Sequence, residues 1–225
     1  MINSMESGGI LAVFAHPDDE SFGPGGTLAN WTKEYEVNVI CVTDGNDPAV
    51  NGKLAEVRST ELREAAAILG INKVYELGYP DGKLCNALYH DLAAKIQEIT
   101  ELLKPSRLVT FEPRGVSGHI DHAAVALISS YVYERADYIR EIWYYCESKD
   151  FTDKVDDYFI YFPRGFDRQE VDRVISVESI WQTKVKAMKA HAAQMKDVEN
   201  ILALKEPLKK EEYFFVTTKE GRNNG

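Results

Sequence analysis

The stretch Ile10-Leu11-Ala12-Val13-Phe14-Ala15-His16-Pro17-Asp18-Asp19-Glu20 decides how this chain is read. Its apolar first half describes a buried strand. Its second half places one imidazole and three carboxylates in a single loop at the strand's C-terminal end. In open α/β sheets ligands bind in the crevice beyond those strand ends.

Outward from that strand, β-rich runs alternate with helical patterns. Further strands are expected over Val37–Thr43, Lys73–Leu77, Arg107–Phe111 and Ile139–Tyr145. Between them, Leu88, Leu92, Ile96, Ile99 and Leu103 fall on one helical face, as do Val57, Leu62, Ala65 and Leu69, with Gly70 placed to end that helix. Gly23-Pro24-Gly25-Gly26 opens another. Such alternation implies βαβ units, hence an α/β fold: a Rossmann-like three-layer sandwich with a mainly parallel sheet. Later, Tyr158–Phe162, Val171–Val177 and Glu212–Thr218 read as strands. Trp181 to Met195 reads as one long amphipathic helix. The expectation is a single domain over residues 1–225, with its core in 8–200 and a frayed tail over 219–225.

Composition narrows the function. A net charge of −10 and no basic cluster argue against nucleic-acid partners. Three scattered cysteines make no disulfide framework. No signal peptide and no apolar span of membrane length is seen, so a soluble cytoplasmic protein is expected. Aromatics between Tyr131 and Tyr145, if exposed, would serve a homo-oligomer interface.

A second cluster, Gly118-His119-Ile120-Asp121-His122, stands at the expected start of a helix, and the two clusters hold three of the five histidines. His16 and Asp19 are close enough in one turn to chelate an ion, with His122 the natural third ligand, as in hydrolytic zinc sites. Asp18, beside a ligand but not needed as one, suits a general base. His119 shares a helix face with His122 and suits a donor to a developing oxyanion, while Asp121 suits an orienting partner for an imidazole. By position alone, Asp44 after the second strand and Arg114 are candidate substrate contacts. Two histidines and a carboxylate also describe Fe(II) oxygenase sites, and a metal- or sugar-binding module without turnover would keep the same ligands.

The Ala15-to-Glu20 and Gly118-to-His122 elements together resemble the LmbE/PIG-L family of zinc-dependent N-deacetylases, which act on N-acetylglucosamine-containing substrates. The resemblance takes in Arg58-Ser59-Thr60-Glu61, Leu77-Gly78-Tyr79-Pro80-Asp81-Gly82, Thr110-Phe111-Glu112-Pro113 and a late His191/Gln194 pair. It implies His16, Asp19 and His122 as ligands of Zn²⁺ (with Fe²⁺ or another divalent ion as alternatives) and Asp18 as base. It also implies His119 as the group polarising the carbonyl, with Asp121 as its charge partner, and Arg58 as a contact to an amino-sugar substrate. Ser117 stands where some members carry a tyrosine.

Overall fold

A computed structural model describes residues 8–46, 53–155 and 160–219. Its centre is β1 (Ile10–Phe14), flanked in parallel by β2 (Val37–Thr43) and β4 (Arg107–Phe111). With β3 (Lys73–Tyr79), β5 (Glu141–Cys146), β6 (Arg173–Ser176) and β7 (Glu211–Thr218), the sheet runs β3-β2-β1-β4-β5-β7-β6. Only the β5–β7 and β6–β7 pairs are antiparallel.

Both faces of β1 are covered, which explains its unbroken apolar sequence. Ile10, Ala12 and Phe14 pack with Leu28 of α2 (Gly25–Trp31), Ala65 and Leu69 of α3 (Lys53–Leu69) and Ala187 of α7 (Trp181–Ala190). Leu11, Val13 and Ala15 point the other way, onto Leu92 and Ile96 of α4 (Tyr89–Leu103) and Val125 and Ile128 of α5 (Ile120–Arg135). The alternation of one five-residue strand thus specifies helix, sheet and helix layers. The short α1 (Asp19–Phe22) and α6 (Lys149–Thr152) and the later α8 (Met195–Lys205) gather at the C-terminal end of the strands.

A buried ion pair fastens the antiparallel end of the sheet to the first helices. Lys184 on α7 donates to the Gly23 carbonyl at 2.5 Å and to Glu212 of β7 at 2.6 Å. Glu212 in turn accepts the Gly26 and Thr27 amides at 2.9 and 2.7 Å. α2 has no side-chain cap of its own, so this carboxylate neutralises its free N–H groups from a distant strand.

Three sequence expectations change. The helix over Trp181 to Met195 breaks at His191, where a 3₁₀ turn (Ala192–Gln194) leads into α8; His191 leaves the helical region because its ring is drawn inward to Glu20. The strand expected over Tyr158–Phe162 lies partly outside the described residues, and Ile160 to Phe162 are not in a strand. The aromatics between Tyr131 and Tyr145 do not form an exposed patch: Tyr133, Trp143 and Tyr145 are buried and Tyr131, Tyr138 and Tyr144 half-buried. Among the described residues, no helix is long and apolar enough to cross a membrane.

Candidate active site

The strand order reverses between β1 and β4, and there the two histidine clusters meet. The first occupies the loop from β1 into α1, and the second the loop from β4 into α5, with His119 as the helix N-cap. This switch-point crevice is where α/β sheets open for ligands. Tight backbone geometry brings the loops together. Gly115, Val116 and Gly118 have φ of 78°, 62° and 81°. A Cβ on Gly118 would lie 1.9 Å from the Tyr161 carbonyl oxygen. Gly118→Ala is therefore expected to cost roughly 1–3 kcal/mol from the disfavoured φ alone, and more from the displaced 161 segment. A urea melt equal to that of the unchanged protein would contradict this.

The ring nitrogens have assignable roles. His122 Nδ1 lies 3.0 Å from the Gly115 carbonyl oxygen, to which only an N–H can bond, so its Nε2 carries a lone pair. His16 Nε2 lies 2.9 Å from Asp81 and 3.4 Å from Asp121, which favours the proton there and leaves Nδ1 with the lone pair. These two atoms face each other at 3.0 Å. Asp19 lies 3.3 Å from His122 Nε2 and 3.6 Å from His16 Nδ1. Tetrahedral ligands about 2.0–2.1 Å from a zinc ion stand roughly 3.3 Å apart. Two ring nitrogens 3.0 Å apart, each beside a different oxygen of the Asp19 carboxylate, need a positive charge among them, so the donor set fits a divalent cation. A proton serves the same need: burial disfavours a charged His16, but bonds to Asp121 and Asp81 and the charge of Asp19 prevail and raise its pKa to about 10. A metal ion held there would take the place of that proton. Asp19 feels burial too, yet His122 and His16 hold it well below the usual carboxylate range.

His16, His119 and His122 also form a compact nitrogen group, and Asp81 and Asp121 join His16 and His119 in a second. His119 Nδ1 accepts the Asp121 amide at 3.2 Å, so its proton sits on Nε2. Burial first, then the charges of His16 and His122, lower its pKa and keep the ring neutral. The result is a neutral N–H donor.

Asp18 has a strained backbone, with φ of 133°. Glu20 holds its amide at 3.1 Å and Arg58 its carboxylate at 3.0 Å. His191, fully buried, fixes Glu20 in turn at 2.8 Å. Burial raises the Asp18 pKa to about 6, against the pull of Arg58 and with a push from Asp19. A carboxyl so placed gains and loses a proton readily near neutral pH.

Two expectations, Asp44 and Arg114, are corrected, while Arg58 lines the cavity. It is buried and also donates to the Pro17 and Gly45 carbonyls, both at 2.7 Å, clamping the loops after β1 and β2. Asp44 does not line the cavity; its carboxylate accepts the Asn46 amide at 2.9 Å in a local turn, while Asp47 lies outside the described residues. Arg114 is away from the cavity, captured by Glu112 at 3.0 Å and stacked on Phe166. The Asp121 carboxylate accepts the Gly82 and Leu84 amides at 2.8 and 3.1 Å and faces His16, and its charge also acts on His119, whose Nδ1 accepts the Asp121 amide. Asp81 escaped the sequence reading as a site residue. Its signal was the Pro80-Asp81-Gly82 turn directly after a strand that neighbours β2.

A cavity of about 600 Å³ opens from this cluster. A Rossmann-like sheet carries at its switch point a His/Asp group that could hold a metal ion, with a poised carboxylate beside it. The family model for PIG-L, GlcNAc-PI de-N-acetylase, matches residues 11–132, and the chain belongs to that family. The family's members are deacetylases, hydrolases that act on amides. The chain is 28% identical over 227 residues to a 1D-myo-inositol 2-acetamido-2-deoxy-alpha-D-glucopyranoside deacetylase of Corynebacterium glutamicum, covering 86% of this chain and 77% of the relative. The N,N'-diacetylchitobiose deacetylase of Pyrococcus horikoshii superimposes with a TM-score of 0.73 at 18% identity, over 97% of this chain and 87% of that one. The same fold carries a 4-carboxy-2-hydroxymuconate hydratase of Pseudomonas putida, with a TM-score of 0.68, 14% identity and coverage of 93% and 95%. Fold alone therefore does not choose the reaction. The oxygenase alternative ends with the family assignment.

Proposed function

We propose that the chain hydrolyses the N-acyl amide of an N-acetylglucosamine-type sugar, using Zn²⁺ or another divalent ion with the same ligand preferences. The observation that carries this reading is the approach of His16 Nδ1 to His122 Nε2 at 3.0 Å with one Asp19 oxygen beside each ring, 3.6 and 3.3 Å away, and Asp18 in the same loop. A divalent cation on these three would polarise the amide carbonyl and lower the pKa of water to about 7. Asp18 takes a proton from the attacking water and returns one to the departing amine nitrogen. His119 donates its Nε2 hydrogen to the carbonyl oxygen as negative charge gathers there. Arg58 keeps Asp18 aimed. Asp81 and Asp121 hold His16 in the tautomer that presents Nδ1. The intact base favours turnover over a silent binding module.

The test is amine release from a panel of N-acetylglucosamine conjugates, with total metal measured in the same sample. Turnover is expected that a chelator abolishes and a divalent ion restores. Metal-loaded protein that releases no amine from any conjugate would overturn the reading.

A further inference from the structure

The two flanks of the proposed metal centre differ in character. On the His16 side stand Arg58 and Asp81, 3.7 Å apart, with Asp18 beside them. Behind His122 an apolar strip begins: the Phe111 ring stacks on the His122 ring with centroids 4.5 Å apart. Tyr145 follows Phe111, and Gly23 lies against both, since a Cβ there would be 3.4 Å from Phe111 and 3.5 Å from Tyr145. From α8, Asp197, Ile201 and Leu204 face the same cavity at the i, i+4, i+7 spacing of one helical stripe. Of the two carboxylates on this side, Asp197 and Glu147, the second is occupied by the Tyr145 hydroxyl and Lys205 at 2.6 and 2.8 Å, and Lys154, Gln194 and Asn200 also line the cavity.

An acetyl group offers this wall one methyl. We infer that the cavity is a chain-binding subsite, and that the enzyme also takes N-acyl groups longer than acetyl and holds them more tightly. The aliphatic tail of such a group lies against Phe22, Phe111, Tyr145, Phe151, Ile201 and Leu204. The inference rests on the amide-hydrolase reading above. The direction follows from connectivity. The attacked carbon sits at the metal ligands, and an acyl tail begins one bond from that carbon, where the apolar wall begins. A substituent on the sugar's anomeric oxygen is separated from it by the polar ring, whose hydroxyls match the Arg58 and Asp81 flank. In the reaction water adds to the carbonyl and the C–N bond breaks, giving a fatty carboxylate and the free amino sugar.

Two substrate series test this: N-acylglucosamines from acetyl to octanoyl, and N-acetylglucosamine alkyl glycosides from methyl to octyl. Apolar burial sets a ceiling of roughly fourfold per methylene. We expect kcat/KM to rise at least tenfold from acetyl to hexanoyl, with no comparable rise along the glycosides. Leu204→Trp and Ile201→Trp, at the far end of the wall, should each remove the gain and leave N-acetyl turnover within about twofold. A flat acyl series beside active N-acetyl hydrolysis, or a rise along the glycosides instead, overturns the subsite and leaves the hydrolase reading standing. Calorimetry with Asp18→Asn provides a readout without turnover. N-octanoylglucosamine should bind at least tenfold tighter than N-acetylglucosamine, and equal affinities overturn the inference. Tighter octanoyl binding with no amide cleaved by the unchanged protein would instead retain the subsite and remove the hydrolase reading.

Discussion

Replacing Asp18 with asparagine is expected to lower kcat by roughly a hundred- to ten-thousand-fold, the usual contribution of a positioned general base. Metal content and melting temperature should stay near those of the unchanged protein. Asparagine keeps the volume, still accepts from Arg58, and tolerates positive φ better than most residues, which matters at φ 133°. What it loses is the ability to hold a proton in transit. The base assignment fails if Asp18→Asn, loaded with metal to the same level, turns over at more than about a tenth of the normal rate. Arg58→Lys is a useful companion. It keeps the charge but loses the fork that spans Pro17, Gly45 and Asp18 at once.

The second large effect concerns stability. Lys184→Met leaves Glu212 as a buried carboxylate without its cation, and losing one partner of a buried pair costs about 3–5 kcal/mol. For a chain of this size that corresponds to roughly 6–20 °C in Tm. The double variant Lys184→Met/Glu212→Gln should recover part of the loss, because no buried charge remains. It should not recover all of it, since Glu212 spreads two oxygens over the Gly26 and Thr27 amides. A Lys184→Met protein that melts within a degree or two of the original would show that water or another group reaches Glu212.

What could be read from the sequence follows from how local each signal is. Residues 10–14 announce their strand because both faces are buried, and the five parallel strands and their covering helices follow from runs and periodicities of similar length. His16, Asp18 and Asp19 were legible because one turn brings them together, and His122 because its cluster also follows a strand. Contacts made across long chain separations left little local trace. Asp81 advertised a turn but not that the turn would lean on His16. His191 fell inside the long helix expected over Trp181 to Met195, whereas it ends one by reaching Glu20, 171 residues away. Arg114 and Asp44 misled for the opposite reason: a neighbour two residues away satisfied each of them before any ligand would. The apolar wall on α8 was invisible because an inward stripe on a helix looks the same whether it faces protein or a cavity.

The crossing of two distant loops at the switch point has a consequence for how firmly the molecule holds together. A cation on His16, Asp19 and His122 joins chain segments more than a hundred residues apart, so its binding energy is also cohesion between the first and second halves of the sheet. If the proposed site is filled, the folded state would gain RT ln(1 + [M]/Kd) from the free ion, about 2.7 kcal/mol at a hundredfold excess over Kd. Heat resistance would then be a gauge of metal supply. A cell short of the preferred ion would find the protein easier to unfold, and easier to degrade, as well as slower.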